Sequence, residues 1–280
     1  MSERQFDFGS NWRAFSRHAL TPERVEQAKR HLAELLGHIK IQDRSFVDIG
    51  FGQGLSLLIA TSMGGRTVGC DINPLCATVL QENQVRAFPE LNAQAIPIVI
   101  GSILDDNLVT SVRHRSPDGP RGYYQIVHSW GVLHHTGDMA AAIRNASSLV
   151  APGGHFIVAI YNRHWSSGAW TVIKRLYNTC PAPIQKIMVG LLWPVIFLAK
   201  WLVTRRNPFR QARGMDFYYD VVDWIGGYPY EYGNVEEITK CVEALGFQTE
   251  RVIPAEVPTG CNEFIFKRVD LAGVPTSFSR

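Results

Sequence analysis

The run VDIGFGQGLSL, from Val47 to Leu57, sets Gly50, Gly52 and Gly54 at alternate positions, just after Asp48. Three residues without a Cβ in one turn let a ligand come close to the backbone. Asp71 follows 17 residues beyond Gly54, at the end of the next apolar run. A carboxylate there can accept hydrogen bonds from both hydroxyls of a ribose. Loop and carboxylate together point to an adenosine-containing cofactor, either a nicotinamide dinucleotide or S-adenosylmethionine. The dinucleotide fingerprint is GxGxxG, whose third glycine lets a helix pack close to its strand. Here the spacing is GxGxG, and Leu55 stands where that third glycine would fall. A carboxylate before the loop, Asp48, suits a cationic amino group better than a pyrophosphate, so the residues lean toward S-adenosylmethionine.

Such a loop needs a strand before it and a helix after it, and the surrounding sequence predicts both. SFVDIG reads as a buried strand and LSLLIATSM as a helix; RTVGCDI and PLCATVLQENQVRAF repeat the order. IPIVIGS, YYQIVHSW and HFIVAIYN continue the strands, with DMAAAIRNASSLV as a helix before a turn at APGG. Upstream, TPERVEQAKRHLAELLG has a Thr cap, Pro at the first helical position and Gly37 beyond the apolar stripe. Downstream, VEEITKCVEALG predicts a helix, and FQTERVI and CNEFIFKRV two neighbouring strands. Strands alternating with helices predict an α/β fold, a mostly parallel sheet covered on both faces.

Composition narrows the function classes. Five cysteines without a CxxC pair and a polar start, MSERQFDFGS, predict a reduced, cytoplasmic protein in which no metal is expected. From Met139 to Met215 there is no Asp or Glu among 77 residues, against ten Lys or Arg. Taking those ten from 28 leaves 18 basic against 25 acidic residues elsewhere. One cationic segment on an acidic chain suggests an anionic partner or surface. A nucleic acid is not expected, because neither an Asn-Pro-Pro-aromatic motif nor an appended binding module is present.

FVDIGFGQG resembles the first motif of class I S-adenosylmethionine-dependent methyltransferases, and VGCDINPLC their second. The span YYQIVHSWGVLHHTGDMAAAIRNASSLVAPGGHFIVAIYN is similar to their fourth strand, following helix and fifth strand. Within that family the chain also resembles the bacterial ubiquinone-biosynthesis O-methyltransferase group. The resemblance implies a Rossmann-like seven-stranded sheet with its last strand antiparallel and a helical insertion after the fifth. It also implies four segments: a helical arm over the cofactor site (1–44), a cofactor-binding core (45–162), a basic insertion (163–233) and a completing helix with strands (234–280).

By position, the resemblance implies that Asp48, Gly50, Gly52, Gln53 and Gly54 hold the methionine end of S-adenosylmethionine, and Asp71 the ribose. Ile72 packs on the adenine; Ser102, with Ile103, stands where the family often has an acidic residue. Ser129 and Trp130 line the sulfonium end, and Trp12 in NWRAFSRHAL, expected before the first helix, lies over the donor. Phe51 and Gln125 are further departures from the family pattern.

Methyl transfer needs alignment, a dry pocket and, for a hydroxyl or amine acceptor, a base. Candidate bases are His134, ranked first, His135, and a carboxylate of the later aromatic segment, Glu231. His128, within a strand, reads as structural. Tyr161, Asn162 and Arg163 at the end of the fifth strand, with Tyr230, are the candidate acceptor contacts. In the insertion, the apolar run Ile187–Ala199 has 13 residues interrupted by Pro194. That length argues against a membrane span and for either an interfacial helix at the inner membrane surface or a lid. The expected activity is O-methylation of a small aromatic or lipid-like acceptor. Alternatives are N-methylation, methylation of a glycan or natural product, a non-catalytic S-adenosylmethionine-binding subunit, and a nicotinamide oxidoreductase.

Overall fold

The computed structural model describes residues 6–119, 122–209 and 214–270. Five strands run parallel: β1 (Ser45–Ile49), β2 (Arg66–Asp71), β3 (Ile98–Ile100), β4 (Tyr124–Trp130) and β5 (Val150–Tyr161). β7 (Cys261–Arg268) inserts antiparallel between β5 and β6 (Phe247–Ile253), giving the order β3-β2-β1-β4-β5-β7-β6. This is the Rossmann-like α/β sheet with a reversed last strand that the sequence predicts.

The two-residue period of a strand divides the core. Val47, Val127, Phe156 and Phe264 face one side of the sheet, while their neighbours Phe46, Ile126, Ile157 and Ile265 face the other. The first face is covered by α5 (Asp106–His114), α6 (Met139–Ser147) and α10 (Val235–Glu243); the second by α2 (Pro22–Leu36), α3 (Leu55–Ser62) and α4 (Pro74–Ala87). Central strands buried on both faces need apolar residues on both, which Phe46 and Val47 supply in β1 and Ile126 and Val127 in β4. Helix ends follow local chemistry: Thr21 Oγ1 accepts the Arg24 amide at 3.3 Å, and Gly37 closes α2 at φ 58°. Asn234 and Glu237 form a reciprocal capping box at the start of α10.

Three details depart from the expected layout. NWRAFSRHAL does not precede the first helix but belongs to one, α1 (Phe8–His18), capped by Asp7. APGG is not a free turn: β5 runs through it as a bulge, the ladder to β4 shifting between Tyr124 and Ile126, with Gly153 at φ 70°. α5 has no counterpart in the sequence reading, because its apolar positions Leu108, Val109 and Val112 sit in a nine-residue segment without a long stripe.

The insertion folds into α7 (Ser167–Thr179), α8 (Ala182–Thr204) and α9 (Phe217–Gly226). α8 corrects the length argument above. It continues unbroken through Pro194 for 23 residues and is long and apolar enough to cross a membrane by length and composition. One side packs Val189, Trp193 and Phe197 against Phe217 and Val221 of α9. The opposite side, Ile184, Ile187, Leu191, Val195, Leu198 and Leu202, is exposed. The basic residues at 210 and 213 lie outside the described residues.

Candidate active site

At the carboxyl ends of β1, β2 and β4 a cavity of about 740 Å³ opens, within the range of ligand pockets. Its floor is the glycine loop. Gly50, Gly52 and Gly54 adopt φ of 72°, 55° and 79°, conformations that a side chain would strain. The Gly52 amide donates to Asp71 Oδ2 at 2.9 Å, and the Asn73 amide to Oδ1 at 2.8 Å. Two backbone bonds thus fix the Asp71 carboxylate, and an ionised carboxylate keeps lone pairs for two more donors. Burial raises the Asp71 pKa, against the lowering effect of those same amides. Asp48 is buried, its Oδ1 2.7 Å from His128 Nδ1. His128 therefore orients a cleft carboxylate, a more specific part than the structural role read for it.

Gln53, Ile72, Ser102, Ile103 and Trp130 all line the cavity. Gln53 Oε1 is buried without a hydrogen-bond partner, an acceptor directed at a missing donor. Ser102 Oγ accepts the Leu104 amide at 3.2 Å and retains its own hydrogen to donate. Trp12 lies directly over the loop, its Nε1 2.8 Å from where a Cβ on Gly52 would stand. Free acceptors for ribose hydroxyls, a buried carboxylate for an ammonium and a side-chain-free floor fit S-adenosylmethionine.

Two residues expected at the donor serve elsewhere. A Cβ on Gly54 would strike Leu80, so this glycine lets α3 approach α4 and does not line the cavity. Ser129 is fully buried and donates to the Ile49 carbonyl at 3.0 Å, tying β4 to β1.

Away from the glycine loop the cavity continues past Phe8, His135, Tyr161, Trp170 and Trp224 to α8, where Ile196, Ala199, Lys200 and Val203 line it. His135 stands 2.6 Å from the Pro229 carbonyl through Nδ1. A carbonyl only accepts, so Nδ1 carries the hydrogen and Nε2 keeps the lone pair. Burial first, and the Lys174 charge second, push the His135 pKa down to about 3, so the ring is neutral near pH 7. Gly227 makes room for it: a Cβ there would lie 2.8 Å from the ring.

Of the two candidate histidines, His135 lines the cavity and His134, the one ranked first, does not. His134 lies behind the wall, its Nδ1 receiving the Tyr161 amide at 3.4 Å and its Nε2 buried without a partner. Glu231 does not reach the cavity; Oε2 accepts the Met139 amide at 2.9 Å at the start of α6. Asn162 bonds Pro258 O and Asn262, and Arg163 pairs with Glu237 at 3.0 Å, so both hold loops together. Tyr230 also stands behind the wall, its hydroxyl buried without a hydrogen bond.

The sequence reading missed Lys174. It is fully buried, with Nζ 4.5, 4.7 and 5.5 Å from the ring centres of Trp224, Tyr230 and Tyr161, and it donates to the Trp224 carbonyl. Burial pushes its pKa down to about 7, against the raising effect of Asp223. Beside Arg175 in the basic segment, nothing marked it as different from a solvated lysine.

Comparison with known proteins supports the same assignment. A family profile described as a methyltransferase domain matches residues 20–252. Curated relatives include the ubiquinone biosynthesis O-methyltransferases of Rhodopseudomonas palustris (strain BisB18), 28% identical over 131 residues, 47% of this chain and 45% of that one. That of Methylobacterium sp. (strain 4-46) is 26% identical over 53% of each chain. The chain thus spans about half the length of the curated relatives it matches. Among solved structures, the magnesium protoporphyrin IX methyltransferase of Synechocystis PCC 6803 with bound S-adenosylhomocysteine superposes with TM-score 0.50, at 15% identity over 87% of this chain and 83% of that one. A chain from a Haloferax volcanii complex of a methyltransferase activator with a methyltransferase reaches 0.54, at 13% identity over 96% and 98%. Those two likenesses concern the fold, but the profile spans most of the sequence and the cleft suits the donor: the chain belongs to the methyltransferase-domain family, the class I S-adenosylmethionine-dependent enzymes.

Proposed function

We propose that this protein transfers a methyl group to an oxygen of an aromatic acceptor bearing an apolar tail, at the inner membrane surface. The observation that carries this reading is the continuity of the cavity. It runs from the glycine loop through an aromatic chamber to α8, the helix that exposes an apolar stripe on its far side. One helix thus borders both the acceptor space and the molecule's outside.

When bound, S-adenosylmethionine supplies a methyl group activated on a sulfonium. Asp71, Asp48, Gln53 and the Gly50–Gly52 backbone hold it, and Trp12 covers it. The aromatic walls Phe8, Trp170 and Trp224 exclude water and hold a flat acceptor by its faces. His135 Nε2 accepts the proton that the acceptor oxygen loses; Pro229 fixes the tautomer in which this nitrogen is free. The arm at 1–44 acts as the donor cover and the 163–233 insertion as the acceptor lid.

α8 lies in the plane of the interface in this reading. Val189, Trp193 and Phe197 pack one side of it against α9, so only its outer stripe is left to face lipid. Lys200 is also tied to Asp220 at 3.3 Å. O-methylation is supported by the names of the curated relatives and by a base suited to a hydroxyl.

The test is calorimetric titration with S-adenosylmethionine, S-adenosylhomocysteine and NAD on the wild type and on Asp71→Ala, then turnover on phenols with and without polyprenyl tails. Saturable binding of the first two ligands, lost in the variant, and faster turnover of tailed phenols are expected. Binding of NAD instead, or no preference for a tail, would sink the reading.

A further inference from the structure

About 20 Å along β5 from Tyr161, near the middle of the strand, three side chains from distant segments converge: His38 after α2, His155 in β5 and Glu250 in β6. None of them lines the cavity. One donor atom from each lies within 4.8 Å of the others. His155 is 6% exposed, and neither of its ring nitrogens has a hydrogen bond. Its Nε2 stands 3.3 Å from Glu250 Oε2, and His38 Nε2 stands 4.0 Å from the same oxygen.

We propose that His38, His155 and Glu250 form a binding site for a zinc-type divalent metal, independent of the methyl-transfer reading. Two imidazoles and a carboxylate are the donor set that such ions take, with water completing the tetrahedron. Bonds of about 2.0–2.1 Å put neighbouring donors of a tetrahedron about 3.3 Å apart. The His155–Glu250 pair is already at that separation. His38, with its side chain 81% exposed, is free to close the remaining gap by rotation. Lys267 reaches the other carboxylate oxygen, Oε1, at 3.9 Å and is half-exposed, so Oε2 stays available. A metal there would also satisfy the buried His155 ring, neither of whose nitrogens makes a hydrogen bond.

The site joins three pieces of structure. It would clamp the end of α2 to β5 and to the bulged strand β6. α2 is a wall of the donor cleft through Ala28, His31, Leu32 and Leu35, so occupancy would steady that wall. The sequence reading expected no metal because the donors lie 117 and 95 residues apart and form no motif.

The experiment starts from chelator-treated full-length protein, titrated with Co²⁺ by visible absorption and with Zn²⁺ by calorimetry. Thermal unfolding is followed with and without metal. One equivalent should bind, with the intense visible bands of a tetrahedral cobalt site and a raised Tm. His38→Ala, on an exposed side chain, and Glu250→Gln should weaken binding, and His155→Ala should abolish it. His114→Ala, an exposed histidine elsewhere, should change nothing. No saturable binding at one equivalent would overturn the proposal. So would an affinity unchanged in folded His38→Ala and Glu250→Gln.

Discussion

The hydrogen bond from His135 Nδ1 to the Pro229 carbonyl sets the protonation chemistry of the proposed acceptor chamber, because it leaves one lone pair, on Nε2, at the cavity wall. A pKa of about 3 makes that nitrogen available near neutrality but a weak base. It suits an oxygen that becomes strongly acidic as the methyl group arrives, and it leaves alignment as the larger contribution. Replacing His135 by Asn keeps polarity and approximate size but removes the basic nitrogen. The expected result is a kcat lowered by roughly 10²–10⁴-fold, with calorimetric affinity for S-adenosylhomocysteine unchanged. Glu231→Gln is the contrasting variant. Its carboxylate accepts the Met139 amide and stands away from the cavity, and a Gln oxygen can accept the same amide, so both turnover and stability should hold. Comparable loss of kcat in the two variants would mean that the base has been wrongly assigned.

Among the elements, α8 departs furthest from a soluble helix. Its outer stripe repeats at three- and four-residue spacing, Ile184, Ile187, Leu191, Val195, Leu198 and Leu202, without a polar residue. Leaving so many large apolar side chains in water is costly, since burying each Leu or Ile is worth about 1.5–3 kcal/mol. The helix carries no acid, and Lys186 and Arg205 lie exposed toward its ends, which suits an anionic headgroup surface. The double substitution Leu191→Asp with Leu198→Asp touches only this face. Co-sedimentation with phosphatidylglycerol vesicles should fall more than about tenfold, while donor binding and far-ultraviolet circular dichroism stay as in the wild type. Undiminished vesicle binding would move the membrane contact elsewhere, and binding absent from the wild type would remove it.

At the scale of the molecule, most of the proposed donor half was legible in the sequence, Gly54 and Ser129 excepted, whereas of the proposed acceptor half only His135 and Tyr161 were, and distance along the chain explains the difference. Asp48, the glycines and Asp71 lie within two adjacent strand ends, so their spacing already encodes their geometry. His135, Pro229, Gly227, Lys174 and Trp224 meet only after the insertion folds back on β5, and no local pattern announces that. Lys174 also couples the chamber to global stability. Its folded pKa of about 7 lies below the unfolded value of about 10.4. Between those values the unfolded chain binds the extra proton, so stability rises with pH through that window and is lowest below pH 7. The full excursion is on the order of 4 kcal/mol. Lys174→Met keeps an unbranched apolar stem without the charge and should therefore lack this rise. Its Tm should exceed that of the wild type at pH 6, where the native protein carries a buried ammonium, and the gap should narrow steadily toward pH 10. Parallel Tm curves for the two proteins would mean that Lys174 keeps its proton in the aromatic cage. The positive charge beside His135 would then be a permanent part of the site.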